Sequence, residues 1–353
     1  MPALSDYDIS TFAEELAALG LKSSHAQTVL REHYRTGAAG NWSDLLLPKA
    51  LLSRLASANP SRASALAARQ VAEDGTVKLL SRLADGRTVE SVLMPDFRRD
   101  RAAGCISSQV GCAMGCDFCA TTKTGFERNL TAGEMVEQFL ALRREALDTE
   151  RRLCTLVFMG MGEPMLNLDN VLTAVRRIAS NDLGALGWRQ ITVSTVGIVP
   201  GIDAMREAKL NIHLAVSLHA PDDETRARLL PMGKRFQVDA ILAAADRYQA
   251  ATNRPVTIQY CLLKGVNDSL AQAQQLAELM RDRRMHVNLL RYNPTGLSLK
   301  GVTYERSDDE TADAFYAELR KHGVVAHFRR SRGKDIDAAC GQLRRRKLKE
   351  GEG

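Results

Sequence analysis

The chain has 353 residues, 45% of them hydrophobic and 25% charged, which is typical of a globular protein and excludes disordered, collagen-like and small disulfide-stapled classes. Its net charge of +6, from 48 Lys and Arg against 42 Asp and Glu, favours an anionic partner, and no apolar run approaches the roughly 18 residues of a membrane span. The first residues lack the basic and apolar regions of a secretory signal, so we expect a cytoplasmic protein without membrane association.

Residues 1–70 have a helical pattern and are predicted to form a small N-terminal accessory domain. Apolar residues recur at helical spacing between Ile9 and Leu19. Thr11 and Glu14 have the spacing of a capping box, which predicts the start of a helix.

Residues 71–101 are predicted to form a β-hairpin extension. Strand patterns run over Val77–Leu83 and Thr88–Met94. The Asp85-Gly86 pair between them is a strong hairpin signal, because glycine accepts the backbone angles that such turns require.

Strand patterns alternate with helix patterns over residues 102–343. Strands are predicted at Cys105–Val110, Leu153–Met159, Gln190–Val196, Ile212–His219, Val256–Leu263, His286–Tyr292 and Val324–Arg330, and helices at Ala132–Arg144, Leu168–Ser180, Val238–Ala251, Leu270–Arg283 and Asp308–Lys321. This alternation is typical of βαβ units, which build a parallel sheet. About six units are too few for a closed eight-stranded barrel, so an open partial barrel and a doubly wound sheet are the alternatives. Residues 344–353 are predicted to be a charged tail.

Three of the seven cysteines form the motif C-x3-C-x2-C at Cys112, Cys116 and Cys119. An odd number of cysteines without an export signal argues against a disulfide framework and favours metal or redox chemistry. A four-iron cluster held by three thiolates would leave one iron open to another ligand. The alternatives are a structural zinc site, which usually has a fourth ligand at matching spacing, and three unrelated buried thiols. Cys154 and Cys261 lie in apolar strand patterns, where core packing is the favoured interpretation.

The cysteine motif, placed in a loop after the first predicted barrel strand, resembles the radical S-adenosylmethionine (SAM) superfamily. The segments CISSQVGCAMGCDFCATTKTGFERNL, FMGMGEPMLN, SLHAPDDETR and SRGKDIDAACGQL resemble the RlmN/Cfr family of RNA adenine methyltransferases, with matches from about Glu90 to Leu343. The resemblance implies an α/β fold: a partial (β/α)6 radical SAM barrel with a helical accessory domain and a β-hairpin extension. It also implies a [4Fe-4S] cluster on Cys112, Cys116 and Cys119, and two SAM molecules per turnover.

Polar residues and glycines follow several predicted strands. In barrels, active sites lie in the mouth formed by the carboxyl ends of the strands, so these residues are candidates for the site. The glycines of Gly160-Met161-Gly162 let the backbone approach a ligand closely. Because they match the family's motifs, the resemblance implies that the following residues contact SAM: Gly162, Glu163, Ser194, Ser217, Leu218, His219 and Asn293.

Cys340 lies among small residues, and without the resemblance it would be interpreted as a buried loop thiol. The resemblance implies that Cys340 takes a methyl group from SAM and that a radical on this group adds to an adenine carbon. It further implies that Glu90 removes the ring proton, and that Cys105 releases the product by forming a transient disulfide with Cys340. A glutamate that alternates with apolar residues on a strand would otherwise be interpreted as part of a solvated face.

Arginine is concentrated at residues 98–101, 329–332 and 344–346, and these clusters favour contacts with RNA phosphates, although a solvated surface is the alternative for the last one. The resemblance implies methylation of adenine C2 in 23S ribosomal RNA, with transfer RNA as a further candidate substrate. It also implies an electron donor such as flavodoxin or ferredoxin, and we expect a monomer. The alternatives are methylation of adenine C8, a radical SAM enzyme with a non-RNA substrate, and a zinc-dependent RNA-binding module without catalysis.

Overall fold

The computed structural model describes residues 2–38, 42–57, 64–329 and 332–336, so Cys340 and the predicted tail lie outside the described residues. Within these ranges the helices are α1 (Ile9–Ala18), α2 (His25–Arg35), α3 (Lys49–Ser57), α4 (Ala132–Asp148), α5 (Leu168–Ala179), α6 (Val199–Glu207), α7 (Asp223–Leu229), α8 (Val238–Thr252), α9 (Leu270–Met280) and α10 (Asp309–Lys321). The strands are β1 (Ser64–Val71), β2 (Val77–Leu83), β3 (Thr88–Pro95), β4 (Arg101–Ile106), β5 (Gln109–Gly111), β6 (Phe126–Asn129), β7 (Arg152–Phe158), β8 (Ile191–Thr195), β9 (His213–Ser217), β10 (Val256–Leu262), β11 (Met285–Arg291) and β12 (Val325–Arg329). None of these helices is long and apolar enough to cross a membrane.

Ten of these strands form one mixed sheet in the order β1-β2-β3-β4-β7-β8-β9-β10-β11-β12. Neighbours from β1 to β4 are antiparallel, and every neighbouring pair from β4 to β12 is parallel. The parallel strands follow one another in chain order with helices between them, as in a barrel, whereas a doubly wound sheet reverses its strand order. Because β1 and β12 are at opposite ends of the order, the sheet is open. The predicted α/β fold with a partial barrel is confirmed.

The first predicted barrel strand, Cys105–Val110, is wrong in its bounds. β4 ends at Ile106, and Gln109–Gly111 pairs instead with β6 in a separate two-stranded sheet. The ladder stops because the backbone N–H of Ser107 donates to Oε1 of Gln138, at 2.9 Å, rather than to a neighbouring strand. This bend takes the chain out of the sheet and begins the loop that carries the three-cysteine motif.

The predicted hairpin is confirmed, since β2 and β3 pair antiparallel and Gly86 in the turn has a φ of +82°. The sequence pattern does not predict β1, because this strand is rich in alanine, which is uncommon in strands. β1 pairs with β2, with an irregularity between Leu66 and Ala68. The division of the chain into domains at residues 71, 102 and 344 stays a prediction.

The N-terminal helix α2 contacts α4 of the barrel. α1 begins at Ile9 after its cap Asp8, whose Oδ1 accepts the N–H of Thr11 at 2.9 Å. The capping box predicted at Thr11 is therefore wrong, because this residue lies inside the helix and the cap is three residues earlier. Arg143 of α4 donates to the carbonyl of Tyr34 at 3.0 Å, which ties α2 to the barrel.

Candidate active site

A cavity of about 350 Å³ lies at the carboxyl ends of the parallel strands. The predicted site residues that line it are Glu90, Cys105, Cys112, Cys116, Cys119, Gly162, Glu163, Ser194, Ser217, His219 and Asn293. Leu218 is fully buried, and Cys340 lies outside the described residues. Seven of the residues that line the cavity belong to the cysteine loop, residues 111–125, and three of these are the predicted cysteines. Segments far apart in the sequence thus converge on one pocket, as expected for the mouth of a barrel.

The cysteine loop is held in a compact turn by hydrogen bonds to its backbone. The N–H of Cys112 donates to the carbonyl of Gly125 at 2.9 Å, and the hydroxyl of Thr122 donates to the carbonyl of Cys116 at 3.0 Å. A side chain at Gly111 would place its Cβ 1.8 Å from the carbonyl oxygen of Gly125, so only glycine fits there. These contacts fix the cysteines beside the cavity.

The thiols of the cysteine loop lie close enough to influence one another's ionisation. Burial, reinforced by the neighbouring Cys119 and Glu163, raises the pKa of Cys112 to about 12. Burial and the other two thiols also raise the pKa of Cys116 well above its ordinary value. A cationic metal centre reverses this balance, because it binds the thiolate directly. The donor set therefore fits a soft metal centre.

No three His, Cys, Asp or Glu side chains among the described residues are grouped closely enough to bind a single metal ion. A four-iron cluster binds each cysteine through a different iron atom, so its ligands lie farther apart than those of one ion. The fully buried Arg226 lies near Cys116, where its charge favours the thiolate, and it donates to the carbonyl of Phe236 at 3.3 Å. A cation at this depth offsets the negative charge of bound thiolates. The residues present thus fit a [4Fe-4S] cluster.

The turn after β7 is shaped by Gly162 and Gln109. Gly162 has a φ of +99°, and an added Cβ would lie 2.5 Å from the Cβ of Gln109. Oε1 of Gln109 accepts the N–H of Glu163 at 2.8 Å. The Glu163 carboxylate accepts the N–H groups of Met165 at 3.0 Å and Val196 at 2.8 Å, which joins the turns after β7 and β8. Burial raises the pKa of Glu163 to about 7.

We expect Gly162→Ala to lower the free energy of unfolding by about 3 kcal/mol, because it adds both a disfavoured φ and a collision with Gln109. Gly86→Ala is the matched control, since Gly86 also has a positive φ but no atom lies within 4 Å of an added Cβ. It should cost only about 1 kcal/mol. Urea unfolding of both variants measures the difference, and equal losses would contradict the steric role of the turn.

His219 is buried with one ring nitrogen fixed. Its backbone φ of +60° is uncommon for a residue other than glycine, and Nδ2 of Asn267 donates to its carbonyl at 2.7 Å. The N–H of Cys261 donates to Nδ1 of His219 at 3.0 Å, which places the ring proton on Nε2. Burial lowers the pKa of His219 to about 3, so the ring is neutral at neutral pH. The cavity therefore has a neutral imidazole donor in a fixed orientation.

Glu90 and Cys105 lie on neighbouring strands and line the same cavity. Val92 pairs with Cys105, and strand alternation places Glu90 on the same face as Val92. Only 5% of the Glu90 surface is exposed, so its interpretation as part of a solvated face is wrong. The hydroxyl of Ser107 donates to the Glu90 carbonyl at 2.7 Å and accepts the N–H of Met161 at 2.9 Å. One hydroxyl therefore joins β3 to the turn after β7.

Cys105 lies next to basic side chains. Burial raises its pKa, and the guanidinium of Arg329 opposes that rise by favouring the thiolate. Arg332 lines the same cavity, and its guanidinium lies 5.7 Å from the ring centre of Phe97, which is 75% exposed. Part of the second predicted arginine cluster is therefore at the cavity, beside Cys105.

The remaining cysteines differ in their surroundings. Cys154 is buried in β7. Cys261 is also buried, but it lines the cavity as well, so its interpretation as a core residue is incomplete. The six cysteines of the described residues form no disulfide, and the predicted partner of Cys105 lies outside those residues.

Sequence reasoning missed three residues that position the site: Gln109, Arg226 and Asn267. Each is buried and makes a hydrogen bond to a backbone group of a segment distant in the sequence. Arg226, for example, donates to the carbonyl of Val196, 30 residues earlier in the chain. Gln109, near the end of the predicted strand 105–110, had a signal that could have found it, as a polar residue in an apolar strand pattern. Arg226 lies within α7 and Asn267 lies in the loop after β10, where no local pattern marks either residue.

Comparisons with known proteins agree with this geometry. The Radical SAM superfamily model matches residues 106–280. A protein of Opitutus terrae named "Probable dual-specificity RNA methyltransferase RlmN 1" is 68% identical over 348 residues, which cover 97% of each chain. A "Dual-specificity RNA methyltransferase RlmN" of Syntrophobacter fumaroxidans is 39% identical over 96% of this chain and 97% of that one. The crystal structure of a radical SAM methyltransferase from Sphaerobacter thermophilus has a TM-score of 0.91 and 42% identity, covering 97% of this chain and 99% of that one. The chain belongs to the RlmN family of radical SAM RNA methyltransferases.

Proposed function

We propose that this protein methylates C2 of an adenine in 23S ribosomal RNA, and also in transfer RNA, through a methyl group carried on Cys340. The observation that carries the proposal is the placement of Glu90 and Cys105 in the same cavity as the cysteine loop. A radical SAM enzyme acting on a small molecule would need neither residue. The relatives are named dual-specificity RNA methyltransferases, which supports RNA as the substrate.

Membership of the radical SAM superfamily implies a [4Fe-4S] cluster and SAM as cofactors. We assign the cluster to Cys112, Cys116 and Cys119, whose loop fits it. We assign the contacts with SAM to Gly162, Glu163, Ser194, Ser217, Leu218, His219 and Asn293. Two SAM molecules per turnover supply the methyl group and, after reductive cleavage at the cluster, the radical that activates it.

The remaining steps fall to three side chains of this protein. The Cys340 thiolate accepts the methyl group, and the activated carbon on its sulfur bonds to C2 of the adenine. This addition leaves a radical on the ring, which would lose one electron back to the oxidised cluster, while Glu90, which lines the cavity beside Cys105, removes the proton from C2. Cys105 then attacks the Cys340 sulfur: a disulfide forms, the sulfur–carbon bond breaks, and the carbon takes a proton to become the methyl group. Reduction of this disulfide by two electrons returns both thiols.

The arginines at the cavity are assigned to RNA phosphates. We expect Arg329→Gln/Arg332→Gln to weaken RNA binding roughly tenfold and to lower the slope of log affinity against log salt by about two, because two fewer phosphates are neutralised. Fluorescence anisotropy at several salt concentrations measures both quantities. Arg320→Gln, at an exposed position of α10, is the control and should change neither. An unchanged salt slope in the double variant would place the RNA elsewhere.

The proposal includes a one-electron donor, flavodoxin or ferredoxin, because the cluster must be reduced before SAM is cleaved. It also includes a monomeric state, since the residues assigned to the reaction all come from one chain. A ribosomal RNA substrate would place the protein in the cytoplasm.

The test is mass spectrometry of modified adenosines in ribosomal and transfer RNA from cells with and without the gene. We expect 2-methyladenosine to disappear from both RNAs when the gene is removed and to return when it is restored. Loss of 8-methyladenosine instead would assign the methyl group to C8. No change in either nucleoside would contradict an adenine methyltransferase.

A further inference from the structure

Two exposed segments cover the outside of the cysteine loop. Residues 228–235 and residues 296–303 meet where Nζ of Lys300 donates to the carbonyl of Arg228 at 2.5 Å. The backbone N–H of Lys300 also donates to Oδ1 of Asp117 at 3.2 Å, and Asp117 follows a cysteine of the motif directly. We refer to the exposed residues of these two segments as the cluster-side face.

The cluster-side face is tied closely to the loop beneath it. The hydroxyl of Tyr304 donates to Oδ2 of Asp117 at 2.7 Å, and Nζ of Lys123 donates to the carbonyl of Thr295 at 2.8 Å. Ala113, within the cysteine loop itself, is exposed. A molecule bound to this face would therefore touch residues that are hydrogen-bonded directly to the cysteine loop.

The cluster-side face is positively charged. Its two segments contain Arg228, Lys234, Arg235 and Lys300 and no Asp or Glu, whereas the whole chain has 48 cationic against 42 acidic residues. Asp117, the acidic residue of the cysteine loop, is buried, and both its oxygens accept hydrogen bonds. An acidic partner is therefore attracted to this face.

The same face exposes apolar side chains. Leu297, Leu299 and Val302 are 64%, 54% and 46% exposed within six residues of one loop. Apolar groups surrounded by polar and charged ones are typical of a surface that binds another protein. RNA phosphates would leave these side chains uncovered, so the composition favours a protein over RNA at this position.

We propose that the cluster-side face is the docking surface for a small acidic one-electron carrier protein. The proposal rests on the cluster site proposed above. Electron transfer slows steeply with distance, so a carrier must dock where the cysteine loop approaches the surface. In the complex the reduced carrier gives one electron to the cluster and leaves oxidised by one electron, and no atom is exchanged. Such complexes bury small interfaces, below about 1,200 Å², which suits a patch built from two short segments.

The test uses the anaerobically purified, cluster-containing protein and an acidic plant-type ferredoxin as the probe. The variants are Leu297→Ser/Leu299→Ser and Arg235→Glu. The controls, Leu147→Ser in α4 and Arg320→Glu in α10, make the same changes at other exposed positions. Calorimetry measures the affinity for oxidised ferredoxin. Stopped-flow absorption measures cluster reduction by reduced ferredoxin and, separately, by dithionite.

Each face variant is expected to weaken ferredoxin binding and slow reduction by ferredoxin about fivefold or more, with unchanged reduction by dithionite. Arg235→Glu should also flatten the salt dependence, because it removes an attractive charge. If the serine pair disturbs the loop, which slower dithionite reduction would reveal, Arg235→Glu decides the matter alone. Wild-type affinity and rate in the face variants overturn the proposal, and so does a loss of RNA affinity with ferredoxin binding intact.

The proposed function is tested separately in the same samples. Dithionite reduces the cluster without any carrier, so RNA methylation driven by dithionite does not depend on the cluster-side face. Absence of methylation by the wild type under these conditions counts against the proposed function, whereas the ferredoxin measurements decide the docking surface.

Discussion

Cys105→Ala protein is expected to accumulate with RNA covalently attached through Cys340. In the proposed mechanism Cys105 has no part in forming the adduct, so methyl transfer, carbon–carbon bond formation and proton removal should proceed in this variant. Release should fail because no thiol remains to attack the Cys340 sulfur, and multiple turnover should fall by roughly 10³-fold or more. The readout is a denaturing gel of the purified variant, with and without ribonuclease, in which the shifted band should be sensitive to ribonuclease.

Two controls make this result specific. Cys340→Ala and the Cys105→Ala/Cys340→Ala double variant should carry no RNA, because they lack the sulfur that bonds to the adenine. Cys154→Ala removes a buried thiol that lies in β7 and should carry no RNA while keeping turnover. A Cys105→Ala protein that folds, holds its cluster and never becomes linked to RNA would refute the assigned role.

Cys116→Ala is expected to lose the iron–sulfur cluster. With two thiolates left, the loop cannot hold a four-iron centre, and iron should fall from about four atoms per chain to less than about one. Iron and sulfide analysis of anaerobically purified protein, together with its visible absorption, measures the loss. Cys154→Ala is the matched control, because Cys154 is a cysteine as buried as Cys116. It should keep its iron, and its free energy of unfolding should fall by about 1 kcal/mol. Full iron content in Cys116→Ala would contradict the ligand assignment.

The parallel part of the fold could be predicted from sequence because each strand is a short apolar run followed by an amphipathic helix. The missed helices are short, at nine residues for α6 and seven for α7. Pro200 and Gly201 lie in the first turn of α6, and this pair of residues is typical of a turn rather than a helix. The structure explains this glycine by packing, since an added Cβ would lie 2.5 Å from the Cβ of Met165. Contacts of this kind join segments far apart in the sequence and have no local pattern.

The candidate site also contains residues whose placement could be predicted from the sequence and residues whose placement could not. Residues such as Ser194 and Ser217 could be predicted to lie near each other, because the carboxyl ends of neighbouring parallel strands meet at one edge of the sheet. Glu90 could not be placed by its alternation alone, since the burial of its face depends on β3 pairing with the first parallel strand. Its assignment depended on the family resemblance, and the structure supplies the physical reason for its burial.

The hydroxyl of Ser107 has a consequence for attempts to redesign this enzyme. It accepts from the turn assigned to SAM and donates to the strand that carries Glu90, and Gln138 holds the backbone of Ser107 from both sides, at 2.9 and 3.1 Å. The turn assigned to SAM and the strand that carries the proposed base Glu90 therefore share one attachment point. Enlarging the pocket for a different base by moving either part would displace the other, so a designer would have to change both together.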